Sequence, residues 1–385
     1  MKYIYLILNV IFFSKKIFSK PKQKDFLIVN GDHADIILKY LKNTDTNVVY
    51  NRFTRGIEKN SVINFFVLYL IFLKFKFSTR EYVKEFIKLS KPKILITLID
   101  NDAFFYELGN SSSYTSILIQ NSYRSTQLDV FGQLENLKKN KNLYCDYILT
   151  FNEHVGKLYK SFLKGKIVQI GSFRSNSVKR LSTVKKYDIL FISSYKGHSN
   201  TEHYIKEHNV TWGDTRVGEE IIINHLKKFI KKNSHLKLFI LGCKVSSKEK
   251  EKKYWSKRLK GIEYTFIPQS LKRETYKIID QTKVLISIDS SLGYESIARG
   301  NKICVFSVRP NKYPTDSSKF GWPQKLKEKG FFWTNSLEYE DFDRVLSNTY
   351  SISETEYFKT KTQNIKKSVI IFSNILNFHK IFNYF

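Results

Sequence analysis

Short apolar runs recur along the chain, and each is followed by polar residues and then by an amphipathic stretch. The runs at 26–29 (FLIV), 94–99 (ILITLI) and 188–193 (DILFIS) are rich in β-branched residues and have the length of buried strands. Between the runs, stretches such as 218–232 place apolar residues at helical spacing. Alternation of buried strands with helices is typical of parallel βαβ units, so the pattern predicts an α/β fold.

The same pattern predicts the remaining elements and their grouping. Further strands are predicted at 48–50, 116–120, 147–150, 167–170, 236–242, 264–267, 284–288 and 303–308. Further helices are predicted at 36–41, 61–90, 247–260, 271–281, 294–299 and from 354 onward. A polar stretch at 175–186 divides the strands into two groups, and a chain of 385 residues can bury two cores. We therefore predict two Rossmann-like domains whose parallel sheets face a central cleft. The first, on the acceptor side, covers 1–174, and the second, which binds the nucleotide sugar, covers 187–350. A linker at 175–186 joins them, and C-terminal helices follow over 351–385.

The stretch 284–333 contains the most informative local pattern. A strand ends at Asp289, two small polar residues (Ser290 and Ser291) and Gly293 follow, and a short helix ends at Gly300 before the next strand. In sheets of this type, ligands bind beyond the carboxyl ends of the strands. A helix that begins there presents unpaired N–H groups and a positive dipole end, which suit a phosphate. The pattern predicts a nucleotide site at 289–293.

Glu295 lies in the first turn of that helix and is placed to accept hydrogen bonds from ribose hydroxyls. The alternative is helix capping, which Ser and Glu commonly perform. Capping by Ser291 remains open, although Glu295 follows it by four residues rather than the three that a capping box requires.

The composition adds a strong positive charge. The chain has 65 Lys and Arg against 35 Asp and Glu, a formal net charge of +30, which favours an anionic partner such as nucleic acid, acidic lipid or a phosphorylated substrate. The basic residues are spread over the whole chain. A nucleic-acid-binding protein is expected to gather them on one face and to carry a recognisable module, and no such module is present.

Cysteine usage and two apolar runs bear on the compartment. Cys145, Cys243 and Cys304 show no metal-ligand spacing, and the last two lie in strand-like runs as small buried residues, which suits a reducing cytosol. The apolar runs 3–13 and 62–73 are too short to span a bilayer, and a Lys-containing stretch follows each. They fit helices that lie in a membrane interface or, alternatively, helices that face the core.

The segment 291–300 (SLGYESIARG), followed by FSVR at 306–309, FGWP at 320–323 and GFFW at 330–333, resembles the signature of a bacterial surface carbohydrate biosynthesis family of GT-B-type glycosyltransferases. Asp100-Asn101, Gln120-Asn121, the stretch 170–174 and the stretch 187–193 are similar to the same family in the same order. The resemblance covers most of the chain and weakens over 43–90 and 194–213.

The resemblance implies a two-domain GT-B fold and transfer of a sugar from a nucleotide-activated donor. Such enzymes usually work without a metal, so no metal or other cofactor is expected. Ser290, Ser291, Gly293 and Glu295 are implied donor-binding residues, and Arg309, at the matched F-S-x-R position, is implied to hold a phosphate. The resemblance also implies that the last helix crosses back onto the first domain.

Transfer of a sugar requires a base that takes the proton of the acceptor hydroxyl. Asp100 follows a central strand and matches the family, so it ranks first, although it could instead cap the next helix. Asp32 and His33 follow the first strand, where several GT-B enzymes carry a catalytic Asp or His, and the pKa of an unperturbed His suits a base. A loop His that is merely solvated is the alternative.

The remaining candidates belong to the cleft. Asn101, Asn121 and Arg124 are expected to position the acceptor or the donor, and Arg174 is expected where the two domains face each other. Trp322 is expected either to stack on a sugar or base or to belong to the core. The same two alternatives apply to Trp333. The triplet Asp100-Asn101-Asp102 imitates the DxD motif of GT-A enzymes, but nothing else follows that single-domain plan.

Taken together, these observations predict a cytoplasmic glycosyltransferase that acts on a surface polysaccharide or a lipid-linked precursor. Its expected partners are a nucleotide sugar, a glycan or polyprenyl-linked acceptor and the anionic inner face of the plasma membrane, with no nucleic acid. A sugar-nucleotide epimerase or a CDP/CMP-linked transferase of the same fold remains open as an alternative. A basic nucleic-acid-binding protein is the alternative of another class.

Overall fold

The computed structural model describes residues 14–31, 33–41, 45–49, 62–76, 78–109, 111–124, 130–139, 142–180, 184–195, 204–205, 209–211, 213–243, 248–270, 274–288 and 290–364. Within these residues the chain forms two six-stranded sheets, each with helices on both faces. The α/β fold with two parallel sheets is confirmed.

The strands up to residue 169 build the first sheet and one separate pair. They are β1 (Lys15–Ile17), β2 (Phe26–Val29), β3 (Thr46–Val49), β4 (Val62–Asn64), β5 (Ile94–Thr97), β6 (Thr115–Ile119), β7 (Tyr144–Thr150) and β8 (Lys164–Gln169). The sheet has the order β3-β2-β5-β6-β7-β8 and is parallel throughout. β1 and β4 form a parallel pair of their own.

The helices of this half cover both faces of the sheet. They are α1 (Ala34–Tyr40), α2 (Phe65–Leu73), α3 (Thr79–Ser90), α4 (Phe104–Leu108), α5 (Val130–Lys138), α6 (Glu153–Phe162) and α7 (Phe173–Asn176). Leu27 and Leu95 point into the core with α2 to α6, whereas Ile28 and Ile96 point into a second core with α1 and α7. This alternation explains why the central strands β2 and β5 carry apolar residues on both faces.

The single helical region predicted at 61–90 is wrong in detail. It contains β4, α2 and α3, with a turn between the two helices. Asn64 caps α2, because its side chain accepts the Val67 N–H, and Ser78 caps α3 by accepting the Glu81 N–H. These two caps start separate helices within a stretch whose composition is helical throughout.

The second sheet begins after the predicted linker. Its half of the chain contains β9 (Tyr187–Ile192), β10 (Tyr204–Ile205), β11 (Val210–Thr211), β12 (Leu238–Leu241), β13 (Tyr264–Ile267), β14 (Thr282–Ser287), β15 (Ile303–Phe306) and β16 (Trp333–Thr334). The parallel order is β13-β12-β9-β14-β15-β16, so three strands precede the reversal at β9/β14, whereas only β3 and β2 precede the reversal in the first sheet. β10 and β11 form an antiparallel pair. The domain boundaries predicted from sequence stay predictions, with the strands of the first sheet ending at Gln169.

The helices described in the second half also cover both faces of their sheet. They are α8 (Gly218–Lys232), α9 (Lys248–Arg258), α10 (Glu274–Asp280), α11 (Ser291–Ala298), α12 (Tyr339–Ser351) and α13 (Glu354–Asn364). α8, α9 and α12 contribute to the core on one face of the sheet or pack against it, and α10, α11 and α13 contribute to the core on the other face. Among the described residues, no helix is long and apolar enough to cross a membrane.

The hydrogen bonds of the last described helix place it on the second domain, and the return of a final helix to the first domain stays a prediction. α13 docks on the second domain: the Tyr357 hydroxyl bonds to both backbone groups of Ile303, and the Lys361 ammonium donates to the Ile297 carbonyl at 3.1 Å. These bonds hold α13, up to Asn364, on the second domain, because the buried Tyr357 and Lys361 have their hydrogen-bond partners there. Residues 365–385 lie outside the described residues.

The two domains share apolar contacts. Tyr123 and Phe151, from the first domain, belong to the core cluster built around β9, β14 and β15. In the opposite direction, Trp322 packs against the first-domain core, with its ring 5.8 Å from that of Phe131. The domain interface therefore continues the two cores.

None of the three cysteines forms a disulfide. Cys145 and Cys304 are buried, and burial raises the pKa of each thiol to about 12. Cys243 was expected to be buried as well, but it is partly exposed because it follows the carboxyl end of β12 rather than lying inside that strand.

Candidate functional site

Each sheet has one point at which the strand order reverses. It lies between β2 and β5 in the first sheet and between β9 and β14 in the second. Loops at the carboxyl ends of such strands form the ligand crevice of doubly wound sheets. Asp100 follows β5, and α11 follows β14, so the strongest sequence candidates lie at these two points.

α11 begins one turn earlier than predicted, and its cap differs from the expected one. Ser290 rather than Ser291 is the capping residue, because its hydroxyl accepts the Leu292 N–H at 3.2 Å. Gly293 allows the helix to lie close to β14, since a Cβ there would be 2.5 Å from the Ser287 Oγ. Gly300, with φ 81°, ends the helix in the left-handed conformation.

Ser291 contacts the first domain. Its hydroxyl lies 2.5 Å from the Ser122 hydroxyl and accepts the Tyr123 N–H at 3.1 Å. One helical turn later, the Tyr294 ring stacks on Tyr123 with the centroids 3.7 Å apart and the planes within 9°. The start of α11 and the loop after β6 are thus joined by polar and aromatic contacts.

Glu295 also reaches across the interface. One carboxylate oxygen accepts the Ser172 hydroxyl at 2.5 Å, and the other accepts the Tyr276 hydroxyl at 3.0 Å. Burial raises the pKa of Tyr276 well above its ordinary value and the Glu295 carboxylate raises it further, while Arg174 acts in the opposite direction. Tyr276 consequently stays protonated and remains a donor. Capping does not explain Glu295, because its carboxylate bonds to side chains outside its own helix.

Asp100, the first candidate for the base, is fully buried. Arg124 donates from Nε to Oδ2 at 2.9 Å and from Nη2 to Oδ1 at 2.6 Å. The Tyr159 hydroxyl and the Asn121 backbone N–H add bonds of 3.0 and 3.3 Å. Both carboxylate oxygens are thereby engaged, and Asp100 does not cap the next helix: the residue that precedes α4 is Ala103, and the Phe104 N–H is accepted by Asp102 at 3.3 Å. The geometry is that of a group that holds Arg124 in place.

A second buried ion pair lies at the other end of α11. Arg299 donates to Asp280 from Nε and Nη2 at 2.9 and 2.5 Å. Its Nη1 donates to the carbonyls of Ser175 and Val178 at 3.1 and 3.0 Å. Arg299 therefore fastens the start of the predicted linker to the second domain.

The other predicted residues are distributed around these contacts. Arg309 is buried and opens a short 3₁₀ helix after β15, at the same sheet edge as α11. Asn121 and Asn101 are half-buried next to Asp100. His33 precedes α1 with φ 64°, and its side chain makes no capping hydrogen bond. Asp32 lies outside the described residues.

Trp322 and Arg174 lie at the domain interface. Trp322 is half-buried and packs on Phe131, whereas Trp333 is buried in the second-domain core. Arg174 is half-buried, and its Nε has no hydrogen-bond partner among the residues that the structure describes. A guanidinium with donors to spare at this interface suits an anionic ligand.

Several residues of the site were not predicted as such. Ser172 and Arg299 lie inside stretches that match the family, so their positions carried a signal but their contacts did not. Tyr123 lies two residues after the matched pair Gln120-Asn121. Tyr276 and Asp280 carried no signal in the sequence, because they lie on α10 and act only through partners that are distant in sequence. No group of three or more His, Cys, Asp or Glu side chains placed to hold a metal ion occurs in the described ranges.

A family model described as "putative O-antigen biosynthesis protein" matches residues 117–382, well over half of the chain. The chain belongs to this family. The match runs from β6 through the whole second sheet and includes α11, Arg299 and Arg309. It confirms the resemblance to a surface polysaccharide biosynthesis family. No curated protein matches the chain in sequence.

Solved structures show the fold of this O-antigen biosynthesis family member. MnaA from S. aureus, solved with UDP, superposes with a TM-score of 0.56 at 11% identity over 96% of this chain and 97% of that one. The wall teichoic acid polymerase TagF superposes with a TM-score of 0.53 at 11% identity, over 94% of this chain and 89% of that one. A UDP-GlcNAc 2-epimerase from Neisseria meningitidis bound to UDP-GlcNAc superposes with a TM-score of 0.51 at 10% identity, over 96% of this chain and 100% of that one. Because both domains are covered, the chain has the two-domain GT-B-like architecture.

Proposed function

We propose that the chain is a GT-B-type glycosyltransferase that moves a sugar from a nucleotide-activated donor to a surface polysaccharide or its lipid-linked precursor. The observation that carries this proposal is the position of α11. Its segment Ser291–Gly300, which resembles the family signature, lies where the second sheet reverses its strand order and meets the first-domain loop after β6. The family's description as O-antigen biosynthesis supports the pathway class.

The donor is proposed to bind on the second domain. The amino end of α11, with Ser290 and Ser291, suits the diphosphate because its dipole and N–H groups stabilise negative charge. Arg309, at the same edge, supplies a cation for the leaving group. On this basis metal-independent chemistry is proposed.

Glu295 is proposed to bind the ribose. In the structure it accepts two hydroxyl donors, Ser172 and Tyr276. A ribose hydroxyl can replace one of them without leaving the carboxylate short of a donor, so such an exchange has a small energetic cost. If the ribose replaces Ser172, donor binding changes the contact between the two domains.

The acceptor is proposed to bind on the first domain, near Asn101, Asn121, Arg174 and Trp322. Asp100 is proposed to position Arg124 rather than to act as the base, because its oxygens already accept four hydrogen bonds. The base is then proposed to come from the loop after β2, which carries Asp32 and His33. A lipid-linked acceptor also implies peripheral contact with the inner face of the plasma membrane.

A thermal-shift titration with UDP-, GDP-, dTDP- and CMP-sugars tests the donor site. We expect one nucleotide class to raise the unfolding temperature and Glu295→Gln to lose most of that rise. Asp188→Asn is the matched control, because Asp188 lies at the opposite end of β9, where it pairs with Lys283. Equal loss in both variants, or no shift with any nucleotide sugar, contradicts the proposal.

The alternative activity is that of a sugar-nucleotide epimerase, which is favoured by the coverage of both domains by an epimerase structure. An NMR spectrum of the stabilising nucleotide sugar after incubation without acceptor separates the two. Conversion to an epimer under these conditions assigns the epimerase. Transfer of labelled sugar into the lipid or polysaccharide fraction of membranes assigns the transferase. Binding of polynucleotide without binding of any nucleotide sugar would assign the nucleic-acid alternative.

A further inference from the structure

α2 is apolar around its whole circumference, although only one side of it is covered. Its sequence is FFVLYLIFL, and only Val67 and Ile71 are buried. Tyr69, Phe72 and Leu73 are exposed, with Phe72 at 59%. A helix that is apolar on every side normally lies in a protein core or in lipid. The outer side of α2 therefore lacks the polar residues that contact with water favours.

Two more phenylalanines extend this side. Phe18 follows β1 and is exposed, and its ring lies 5.2 Å from that of Phe65 at the start of α2. Phe75 lies in the turn after α2 and is 82% exposed. We refer to Phe18, Tyr69, Phe72, Leu73 and Phe75 together as the aromatic surface. Contiguous exposed apolar side chains of this kind mark interaction sites on soluble proteins.

The backbone at Phe75 strengthens this interpretation. Its φ is 54°, in the left-handed region that Gly and Asn adopt easily and bulky residues rarely adopt. A turn selected for stability alone would favour one of those residues. A phenylalanine in this conformation, with its ring in solvent, suits a functional contact, since strained conformations concentrate at functional positions.

Lysines surround the aromatic surface. The segment 14–24 (SKKIFSKPKQK), which contains Phe18, has five lysines and no acidic residue. Lys15 and Lys16 on β1 are exposed, and Lys74 and Lys76 flank Phe75. Lys24 pairs with Asp45, Lys74 pairs with Glu85, and Lys76 lies 3.8 Å from Glu81, so local acids offset part of this charge. Apolar side chains surrounded by lysines match the interface of an anionic bilayer, where apolar groups enter the acyl region and ammonium groups meet head groups.

We propose that the aromatic surface is the membrane-docking face of the protein and that it binds anionic lipid bilayers. A second copy of this chain is a poorer occupant, because a two-fold contact would bring the same lysines against each other. The proposal deepens the membrane contact proposed above, but it does not rest on sugar transfer. Lipid binding is measured without nucleotide, so the failure of one proposal leaves the other intact.

The test is co-sedimentation of the full chain with vesicles of phosphatidylcholine alone and of phosphatidylcholine mixed with phosphatidylglycerol. We expect the wild type to prefer the anionic vesicles and to lose binding as the salt concentration rises. Phe72→Ser combined with Phe75→Ser should lower the affinity at least about tenfold, because two side chains that enter the bilayer are removed.

Phe358→Ser is the matched control, because Phe358 is 58% exposed but lies on α13, in the second domain. It should bind like the wild type, and both variants should keep the wild-type unfolding temperature. The proposal is overturned if the wild type binds neither vesicle or if the double variant binds like the wild type. The second result would move the membrane contact to the apolar run 3–13. A wild-type dimer that the double variant abolishes, without lipid binding, would assign the surface to a second copy.

Discussion

α11 and α2 are both short helices, and both invert the usual division of residues between core and surface. α11 buries polar and charged groups, and Glu295, Ser296 and the adjacent Arg299 are almost inaccessible. α2 instead exposes large apolar side chains. In α11 each buried charge has a bonded partner, whereas the exposed rings of α2 face outward next to lysines.

The difference between these helices shows that the same kind of inversion can serve two purposes. Buried polar groups lie at the domain interface, where they fix the relative positions of loops that come from both sheets. Exposed apolar groups lie on the outside, where they add nothing to the core and are available to a partner. Stability should therefore respond strongly to changes around α11 and weakly to changes on the outer side of α2.

The largest effect is expected for Arg299→Ala. The substitution leaves Asp280 buried without its cation and releases the carbonyls of Ser175 and Val178. Loss of one partner of a buried ion pair typically costs about 3–5 kcal/mol of unfolding free energy. Urea denaturation measures this loss. The matched control is Lys157→Ala, which removes an exposed pair with Glu153 on α6 and should change little. Equal midpoints for the two variants would show that the Arg299 cluster does not hold the interface.

A pH-dependent effect of similar size is expected at Lys361, which binds the carboxyl end of α11 from α13. Burial, aided by Arg180, lowers the pKa of Lys361 from 10.5 to about 8. Between these pH values the unfolded chain binds more protons than the folded one, so stability rises with pH. Relative to Lys361→Met, the wild type should gain about 3 kcal/mol between pH 8 and 10.5.

Urea denaturation of both proteins over a pH series measures this difference, and the variant cancels the titration of all other groups. A constant difference between the two proteins would mean that Lys361 is not held in its neutral form by burial. A difference that shrinks with rising pH would contradict the direction of the pKa shift.

The smallest effect is expected for Phe75→Asn, which should raise the free energy of unfolding rather than lower it. Asn adopts the left-handed conformation of this turn more readily, so the variant should be more stable by about 0.5 kcal/mol. Leu73→Asn is the control: Leu73 is also exposed, but it is the last residue of α2, so lower helix propensity should reduce stability by about 0.5 kcal/mol. Urea midpoints distinguish the two. A loss of stability in Phe75→Asn would mean that the ring packs on the protein.

The fold could be predicted from sequence where strands are buried on both faces. The run 26–29 is apolar because β2 has a core on either side, and its observed bounds agree with the prediction. The bounds of β13 at 264–267 agree as well, although this strand lies at the edge of its sheet. The prediction was wrong where composition alone could not place a boundary. The stretch 61–90 has the composition of a single helix, and its division depends on the side-chain caps of Asn64 and Ser78.

The site could be predicted only in part. The position of α11 followed from the strand-turn-helix pattern, and the family resemblance named Glu295 and Asp100. Their actual partners, Ser172 and Tyr276 for Glu295 and Arg124 and Tyr159 for Asp100, come from other elements of the fold. The Ser172–Glu295 pairing depends on how the two domains pack, and the other three depend on packing within one domain, so no local pattern encodes them.

The distribution of the three cysteines allows a chemical label to be attached at one edge of the second sheet. Two thiols are buried with pKa values of about 12, so they resist alkylation in the folded protein. Cys243 is partly exposed, at the same edge of the second sheet as the start of α11. A maleimide dye should therefore label the native protein at this one position without prior mutagenesis. The attached dye would report, through its emission, on ligands that reach the carboxyl ends of β9 and β12.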